Sequence, residues 1–171
     1  VVCYDKDGNI KWEDDAPNLV TAVGKQALFD YYFGATGTAG GTAAGANYLG
    51  LCGGTATYAA ADTMSSHTWT EVGGTNAPAY TGNRQSISWT AASSTGTTPS
   101  NVTTSTASAI TYTITGVGGT VYGCFLVTGS GASSTQSNTS GTLYSAGAFS
   151  TAKITTAGDT VSVTYSTTAT S

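Results

Sequence analysis

The stretch ITYTITGVGGTVYGCFLVT at residues 110–128 decides the fold class, because it carries two β-strand patterns in succession. Ile110, Tyr112 and Ile114 alternate with threonines, which is typical of a strand with one buried and one solvated face. The run VYGCFLVT at residues 121–128 is apolar on both faces, which predicts a central strand covered on both sides. We therefore expect a mainly β chain folded as an antiparallel β-sandwich or a jelly-roll-like structure.

Shorter runs on either side of this stretch predict further strands. Period-two spacing recurs at Ile87 and Trp89, and again at Val161, Val163 and Tyr165. Short apolar runs also indicate strands at NYLGLCG (47–53), TLYSAGAF (142–149) and STAKITT (150–156). The loops between these runs are rich in glycine, serine and threonine, and their spacing favours a sandwich or jelly roll over a propeller.

The N-terminal part of the chain is chemically different, since most of the charged residues lie in the first thirty positions. The Asp7-Gly8 pair separates two apolar-alternating runs, which predicts a β-hairpin with strands near Val1–Tyr4 and Ile10–Glu13. After Pro17, uneven apolar spacing predicts one α-helix from about Leu19 to Phe33.

We expect one domain over residues 1–171, because this length suits a single hydrophobic core. Within it, residues 1–34 form the charged hairpin and helix, and residues 47–171 form a β-rich body with few charges. The glycine-rich residues 35–46 are too small-sided for regular structure, so a loop is expected there.

Charge is scarce: from Gln85 to Ala152 the chain contains no Asp, Glu, Lys, Arg or His. The whole chain is 8% charged, against roughly 25% in an average domain. Its net charge of -4 and its few scattered Lys and Arg residues disfavour binding to nucleic acid or an anionic membrane. No apolar run approaches the ~20 residues of a membrane span. The remaining polarity is supplied by hydroxyls and amides, which do not perform proton transfer at neutral pH.

Few residues could support catalysis or metal binding. His67 is the single histidine and has Asp62 and Glu71 nearby in sequence, but one imidazole cannot make a two-histidine metal site. The serines lack a GxSxG motif. Asp5 and Asp7 lie in a short acidic run, yet the glycine and glutamate of an EF-hand calcium loop are misplaced. We expect a protein that is not an enzyme, with no catalytic residue, metal or cofactor.

The three cysteines, Cys3, Cys52 and Cys124, are odd in number and lack CxxC spacing. We expect free thiols that pack as small hydrophobes, in a protein that folds in a reducing cytosol. The charged start VVCYDKDGN lacks the apolar segment of a secretion signal, although a mature form without its leader is the alternative.

Aromatic residues are plentiful, with three Trp and ten Tyr. Most are expected in the core, but a surface rich in Tyr, Ser and Thr also suits permanent interfaces, because few ions must be desolvated. Assembly is therefore the favoured type of function. Candidate interface residues lie in the N-terminal part of the chain: Trp12, Asp14, Asp15, Tyr31 and Tyr32.

The chain also resembles a family of small virion structural proteins of tailed bacteriophages. The resemblance covers nearly the full length and rests on packing motifs, not on chemical ones. The motifs are YDKDGNIKWEDDAPNLVTAVGKQALFDYYF (4–33), YLGL (48–51), ADTMSSHTWTEV (61–72), NRQSISWTA (83–91), GCFLVT (123–128), GTLYSAGAF (141–149) and GDTVSVTY (158–165).

What the resemblance implies is a β-rich, non-enzymatic cement or decoration protein that binds and stabilises the major capsid shell. Its expected partners are the major capsid protein and further copies of itself, with a trimer favoured, and neither nucleic acid nor membrane is among them. Its expected location is the capsid surface of the virion, after synthesis in the bacterial host cytoplasm. The alternative is a tail-fibre or spike domain that recognises the host by binding glycans, although the chain shows no heptad repeat for a trimeric shaft.

Overall fold

The structure is a computed structural model with a mainly β fold of several antiparallel sheets and, within the residues it describes, one helix. It describes residues 2–4, 6–13, 20–33, 46–54, 57–73, 76–95 and 101–170. The prediction of a mainly β chain with an N-terminal hairpin and one N-terminal helix is confirmed.

The strands follow one another along the chain and are numbered in that order. They are β1 (Val2–Tyr4), β2 (Ile10–Glu13), β3 (Tyr48–Gly53), β4 (Thr70–Glu71), β5 (Ala79–Tyr80), β6 (Gln85–Ser86), β7 (Ser93–Thr95), β8 (Asn101–Ser105), β9 (Ile110–Thr115), β10 (Gly119–Thr128), β11 (Thr142–Thr155), β12 (Thr160–Val163) and β13 (Ser166–Ala169). The helix α1 spans Ala22–Phe33 and lies between β2 and β3.

The largest sheet has the order β11-β10-β3-β4, and β6 pairs with the other end of β3. β10 lies between β11 and β3, which confirms the prediction of a central strand. Leu126 on β10 packs into one hydrophobic cluster, while Phe125 and Val127 pack into a second cluster with Met64 and Trp69. Both faces of β10 are therefore covered, which explains why its sequence is apolar at nearly every position.

A second sheet, with the order β12-β9-β5, packs on the large sheet to form the sandwich core. Ile110, Tyr112 and Ile114 of β9 are buried, and the threonines between them are exposed, as their alternation predicts. The Tyr112 hydroxyl donates a hydrogen bond of 2.8 Å to the Leu49 carbonyl on β3. This bond joins the two sheets inside the core and satisfies a polar group that burial would otherwise leave unpaired.

A third sheet, with the order β13-β8-β7, carries α1 on its side of the core. The Phe33 ring at the end of α1 lies 4.2 Å from the Trp89 ring, measured between centroids. Asp30 accepts a 2.8 Å hydrogen bond from the Ala92 amide. No helix among the residues described here is long and apolar enough to cross a membrane.

The N-terminal elements differ from prediction only at their ends. β1 pairs antiparallel with β2, and Gly8 in the turn has φ of 86°, a conformation that glycine adopts readily. The helix begins at Ala22, because the Thr21 hydroxyl accepts the Gly24 amide and caps the first turn. Leu19, and the expected loop over residues 35–46 apart from its last residue, lie outside the described residues.

Gly50 allows a close contact between β3 and β10, and we predict that Gly50→Ala destabilises the fold. An added Cβ would collide with Cε1 and Cζ of the Phe125 ring, which is fully buried and 4.7 Å from Trp69 between centroids. Overpacking of this kind typically costs about 1–3 kcal/mol. Urea denaturation should show this loss.

Gly147→Ala on β11 is the matched control for Gly50→Ala, since a Cβ there meets nothing within 4 Å. It should change the free energy of unfolding by less than about 0.5 kcal/mol. Equal stabilities of the two variants would contradict the packing of Phe125 on Gly50.

Candidate functional site

Glu71 and Arg84 form a buried ion pair beneath the loop of residues 129–141, which connects β10 to β11. Arg84 Nε donates to Glu71 Oε1 at 2.8 Å, and Arg84 Nη2 donates to Glu71 Oε2 at 2.7 Å. The side chains of Arg84 and Glu71 are only 1% and 6% exposed. This is the bidentate geometry in which a guanidinium binds a carboxylate most strongly.

The same ion pair binds the backbone of loop 129–141. Arg84 Nη1 donates to the Ser133 carbonyl at 3.0 Å, and Nη2 donates to the Asn138 carbonyl at 2.7 Å. The Ser137 amide donates to Glu71 Oε2 at 2.7 Å, and Ser137 has a positive φ of 61°. Three backbone groups of the loop are thus held by two buried side chains, which fixes the loop on the sheet.

Strand β3 brings the two charges together. Glu71 lies on β4 opposite Cys52, and Arg84 directly precedes Gln85, which pairs with Leu49 at the other end of β3. Sequence reasoning considered Glu71 only as a neighbour of His67 and missed Arg84 altogether. The sequence did contain an indication of this pair, since Glu71 and Arg84 are isolated charges of opposite sign in a region with few charges. A charge that is buried in such surroundings requires a partner.

His67, Asp62 and Glu71 each form hydrogen bonds to groups outside this set of three. His67 stacks on Trp69 with the ring centroids 3.6 Å apart, and its Nδ1 lies 2.8 Å from the Trp69 carbonyl. Since a carbonyl can only accept, Nδ1 carries the proton. Asp62 accepts the Ala59 amide at 3.1 Å. Both oxygens of Glu71 accept hydrogen bonds, from Arg84 and from the Ser137 amide, so Glu71 is bound to other groups than His67.

A cavity of about 230 Å³ lies between His67 and the ion pair. Its walls combine aromatic, charged and amide side chains with part of loop 129–141, and they include Met64, His67, Trp69, Arg84, Ser137 and Asn138. No three His, Cys, Asp or Glu side chains come together as a metal site anywhere in the described part of the chain.

Cys52 and Cys124 are free thiols, as predicted, and Cys3 has a side chain outside the described residues. Burial raises the pKa of the Cys124 thiol to about 11, and burial also raises the pKa of Cys52 well above its ordinary value. The Tyr80 pKa is raised by burial to about 12. These groups are protonated at neutral pH, and a protonated thiol is a poor nucleophile.

Of the predicted interface residues, Tyr31 faces outward and Tyr32 faces the interior. Tyr31 is 50% exposed on the outer side of α1. Tyr32 points inward, where its hydroxyl bonds Thr128 Oγ1 at 2.9 Å and its ring packs on Tyr144. The Trp12 side chain, together with Asp14 and Asp15, lies outside the described residues.

Two sheet edges border a wide groove on another side of the sandwich. β11 ends the order of the large sheet and β12 ends the order of the second sheet, so each has one strand neighbour among the described strands. A groove of about 570 Å³ between them is lined by both strands and includes Phe149, Lys153, Ile154 and Val161. Ile154 is 85% exposed. Apart from Lys153, β11 offers this surface no charged side chain.

No protein family matches this chain, and comparisons with curated proteins and with solved structures found no match. The geometry of the described residues therefore carries the functional argument.

Glu71→Gln should destabilise the protein strongly, because it leaves the buried guanidinium of Arg84 without its counter-ion. Breaking a buried pair from one side typically costs about 3–5 kcal/mol. Urea denaturation should show this loss, and hydrogen exchange should show faster exchange of the Ser137 amide. The double variant Glu71→Leu/Arg84→Met should recover much of the stability, since it buries no unpaired charge.

Asp159→Asn is the matched control for Glu71→Gln, because Asp159 is an exposed carboxylate that accepts the Thr156 amide at 2.7 Å. It should change the free energy of unfolding by less than about 1 kcal/mol. A loss as small as this in Glu71→Gln would show that the ion pair does not hold the loop.

The stability of the protein should fall as the pH rises through the alkaline range. The Cys124 thiol has a pKa of about 11 when folded against an ordinary value of 9.0, so the unfolded chain loses this proton first. The stabilisation is complete below pH 9 and is lost as the pH approaches 11. Cys124→Ala should reduce the slope of the free energy of unfolding against pH by up to about 1.4 kcal/mol per pH unit in this window. Urea denaturation at stepped pH measures the slope, and identical slopes would contradict the burial effect.

Proposed function

We propose that this protein is a non-enzymatic virion structural protein of a tailed bacteriophage, a cement or decoration protein that binds and stabilises the major capsid shell. The observation that carries the proposal is the long and nearly uncharged edge strand β11 beside an open groove. The resemblance of the sequence motifs to small phage virion proteins is the reason for proposing a phage capsid as the assembly.

The chemistry of β11 suits a permanent contact with another protein. Ser150, Thr151 and Ala152 are exposed and uncharged, and the strand is 14 residues long. An edge strand presents backbone donors and acceptors to a partner, and neutral hydroxyls can be satisfied across a contact. Because Lys153 is the one charge on this strand, association desolvates few ions.

The buried polar groups support a structural role as well. Glu71 and Arg84 direct their hydrogen bonds to each other and to loop 129–141. His67 stacks on Trp69. Because both charges of the ion pair are satisfied inside the protein, they stabilise a rigid scaffold, which suits a structural role.

A tail-fibre or spike domain that binds glycans is the second candidate. It is favoured by the cavity next to His67, where an aromatic wall adjoins Arg84, Asn138 and Ser137. Sugars combine apolar ring faces with hydroxyls, and a cavity of this composition can contact both.

The proposal predicts that binding to the shell survives high salt. Raising the salt from 0.1 to ~1 M shortens the screening length from about 10 to 3 Å, which weakens ionic contacts and leaves apolar burial and neutral hydrogen bonds largely intact. Purified particles that carry the protein should keep most copies after a molar-salt wash, and they should resist heat better than particles that lack it. The retained copies are counted by quantitative mass spectrometry.

Imaging of the same particles locates the protein. Density on the shell is the expected result. Release of most copies in salt would contradict the uncharged interface, and density on the tail alone would favour the glycan-binding candidate.

A further inference from the structure

The outer face of α1 is apolar and exposed among the residues that the structure describes. Its large side chains are Val23 (73% exposed), Leu28 (62%) and Tyr31 (50%). Val20, two residues before the helix begins, is 48% exposed and lies beside Gly24 on the same side. Gly24 and the exposed Ala27 lie between them. This set of six residues, which we call the α1 stripe, follows the spacing of one helix face.

The charged residues of α1 lie away from the stripe. Lys25 is 7% exposed, and Asp30 accepts the Ala92 amide on the side of the protein body. Gln26 also donates to the Ala92 carbonyl. The face that α1 turns outward therefore carries no charge, and a charged partner would lose hydration there without gaining an ion pair.

The α1 stripe is symmetric when read in either direction. About the midpoint between residues 25 and 26, Val20 corresponds to Tyr31, Val23 to Leu28, and Gly24 to Ala27. Two such helices placed antiparallel would oppose large residues to large ones at the ends and small residues to small ones at the centre. Small residues at a crossing point let two helices approach closely, while the flanking ridges interdigitate.

Helix dipoles favour the same antiparallel arrangement. The first turn of α1 has no acidic residue and the last turn has no basic residue, so no side chain of these types offsets the partial charges at its ends. An antiparallel neighbour places its negative end beside the positive end of α1. The ends of α1 are thus electrostatically complementary to those of an antiparallel second copy.

We propose that two copies of this protein associate through their α1 stripes, antiparallel and across a twofold axis near Gly24 and Ala27. In a twofold contact the same residues of each copy form the two halves of the interface, so a single self-complementary surface is sufficient. The inference does not depend on the proposed function, since it concerns the isolated protein. Such a contact makes pairs of copies and cannot by itself close a trimer.

The α1 contact is small. The five side chains of the stripe and Gly24 bury roughly half of the ~800 Å² that each partner contributes to a standard interface. Association in dilute solution is therefore expected to be weak, and it becomes strong only where copies are held close together. The test must capture a transient contact, so cross-linking at high protein concentration is the suitable method.

The experiment mixes two variants that each add one cysteine to the outer face, Val20→Cys and Tyr31→Cys, in a Cys3→Ser background that keeps the buried Cys52 and the half-buried Cys124. One variant carries a mass tag so that mixed dimers are distinguished from like dimers. Under mild oxidation we expect a mixed disulfide-linked dimer, because the antiparallel register brings these two positions together. Each variant alone should give at least roughly tenfold less dimer, since its cysteines lie at opposite ends of the contact.

The matched control is a mixture of Val117→Cys and Ile10→Cys, which are exposed apolar residues outside α1 and the β11 groove, 86% and 58% exposed. It should give no more dimer than either variant alone. Leu28→Glu added to the α1 pair should reduce the mixed dimer at least roughly tenfold, because a carboxylate would be buried against Val23 of the second copy. Val117→Glu should leave it unchanged, because the exposed Val117 lies outside both the α1 stripe and the β11 groove. Circular dichroism verifies that each variant is folded.

Three results would overturn the proposal. Strong self-cross-linking of Val20→Cys alone would mean a parallel pair or a trimer around α1. Absence of the mixed dimer would mean that the stripe does not pair, and persistence of the dimer in Leu28→Glu would mean that another surface holds the copies together.

Discussion

Burying a guanidinium beside a carboxylate removes both from water, and the cost is several kcal/mol for each ion unless their bonds are replaced. Arg84 and Glu71 replace them with a bidentate contact and with three backbone groups of loop 129–141. The Arg84 guanidinium also lies 5.1 Å from the centre of the Phe125 ring. Loop, sheet and hydrophobic cluster therefore meet at one charge pair, and loss of either charge disturbs all three.

Hydroxyl groups link other parts of the described body. Thr103 and Thr168 bond across β8 and β13 through their hydroxyls at 2.8 Å, and Ser145 bonds the Tyr165 hydroxyl at 2.7 Å. Each such bond contributes only about 1 kcal/mol net. Burial of apolar side chains between the sheets supplies the larger part of the stability.

The two proposed contacts use separate surfaces and different chemistry. The edge of β11 offers backbone groups and hydroxyls over a long strand, whereas the α1 stripe offers apolar side chains on one short helix. Weak pairing through α1 would gain strength if β11 held many copies on a common surface, because the second contact would then form at high local concentration. The two contacts would reinforce each other although neither shares a residue with the other.

The sequence by itself determined the strand patterns, because alternation depends only on which neighbouring side chains are apolar. β9 and β10 were predicted in type and in burial, and so was the hairpin around Asp7-Gly8. The start of α1 was placed three residues early, since the cap at Thr21 is a local hydrogen bond that competes with helix extension.

Only the tertiary structure decided which charges met and which aromatic residues faced outward. Glu71 and Arg84 are paired because β4 and β6 both lie along β3, a fact that no local pattern contains. Tyr31 and Tyr32 are neighbours in sequence, yet Tyr31 is exposed and Tyr32 bonds Thr128, because successive residues of a helix point about 100° apart. The packing of α1 on the body selects the inner face, and burial of that face is a property of the whole fold.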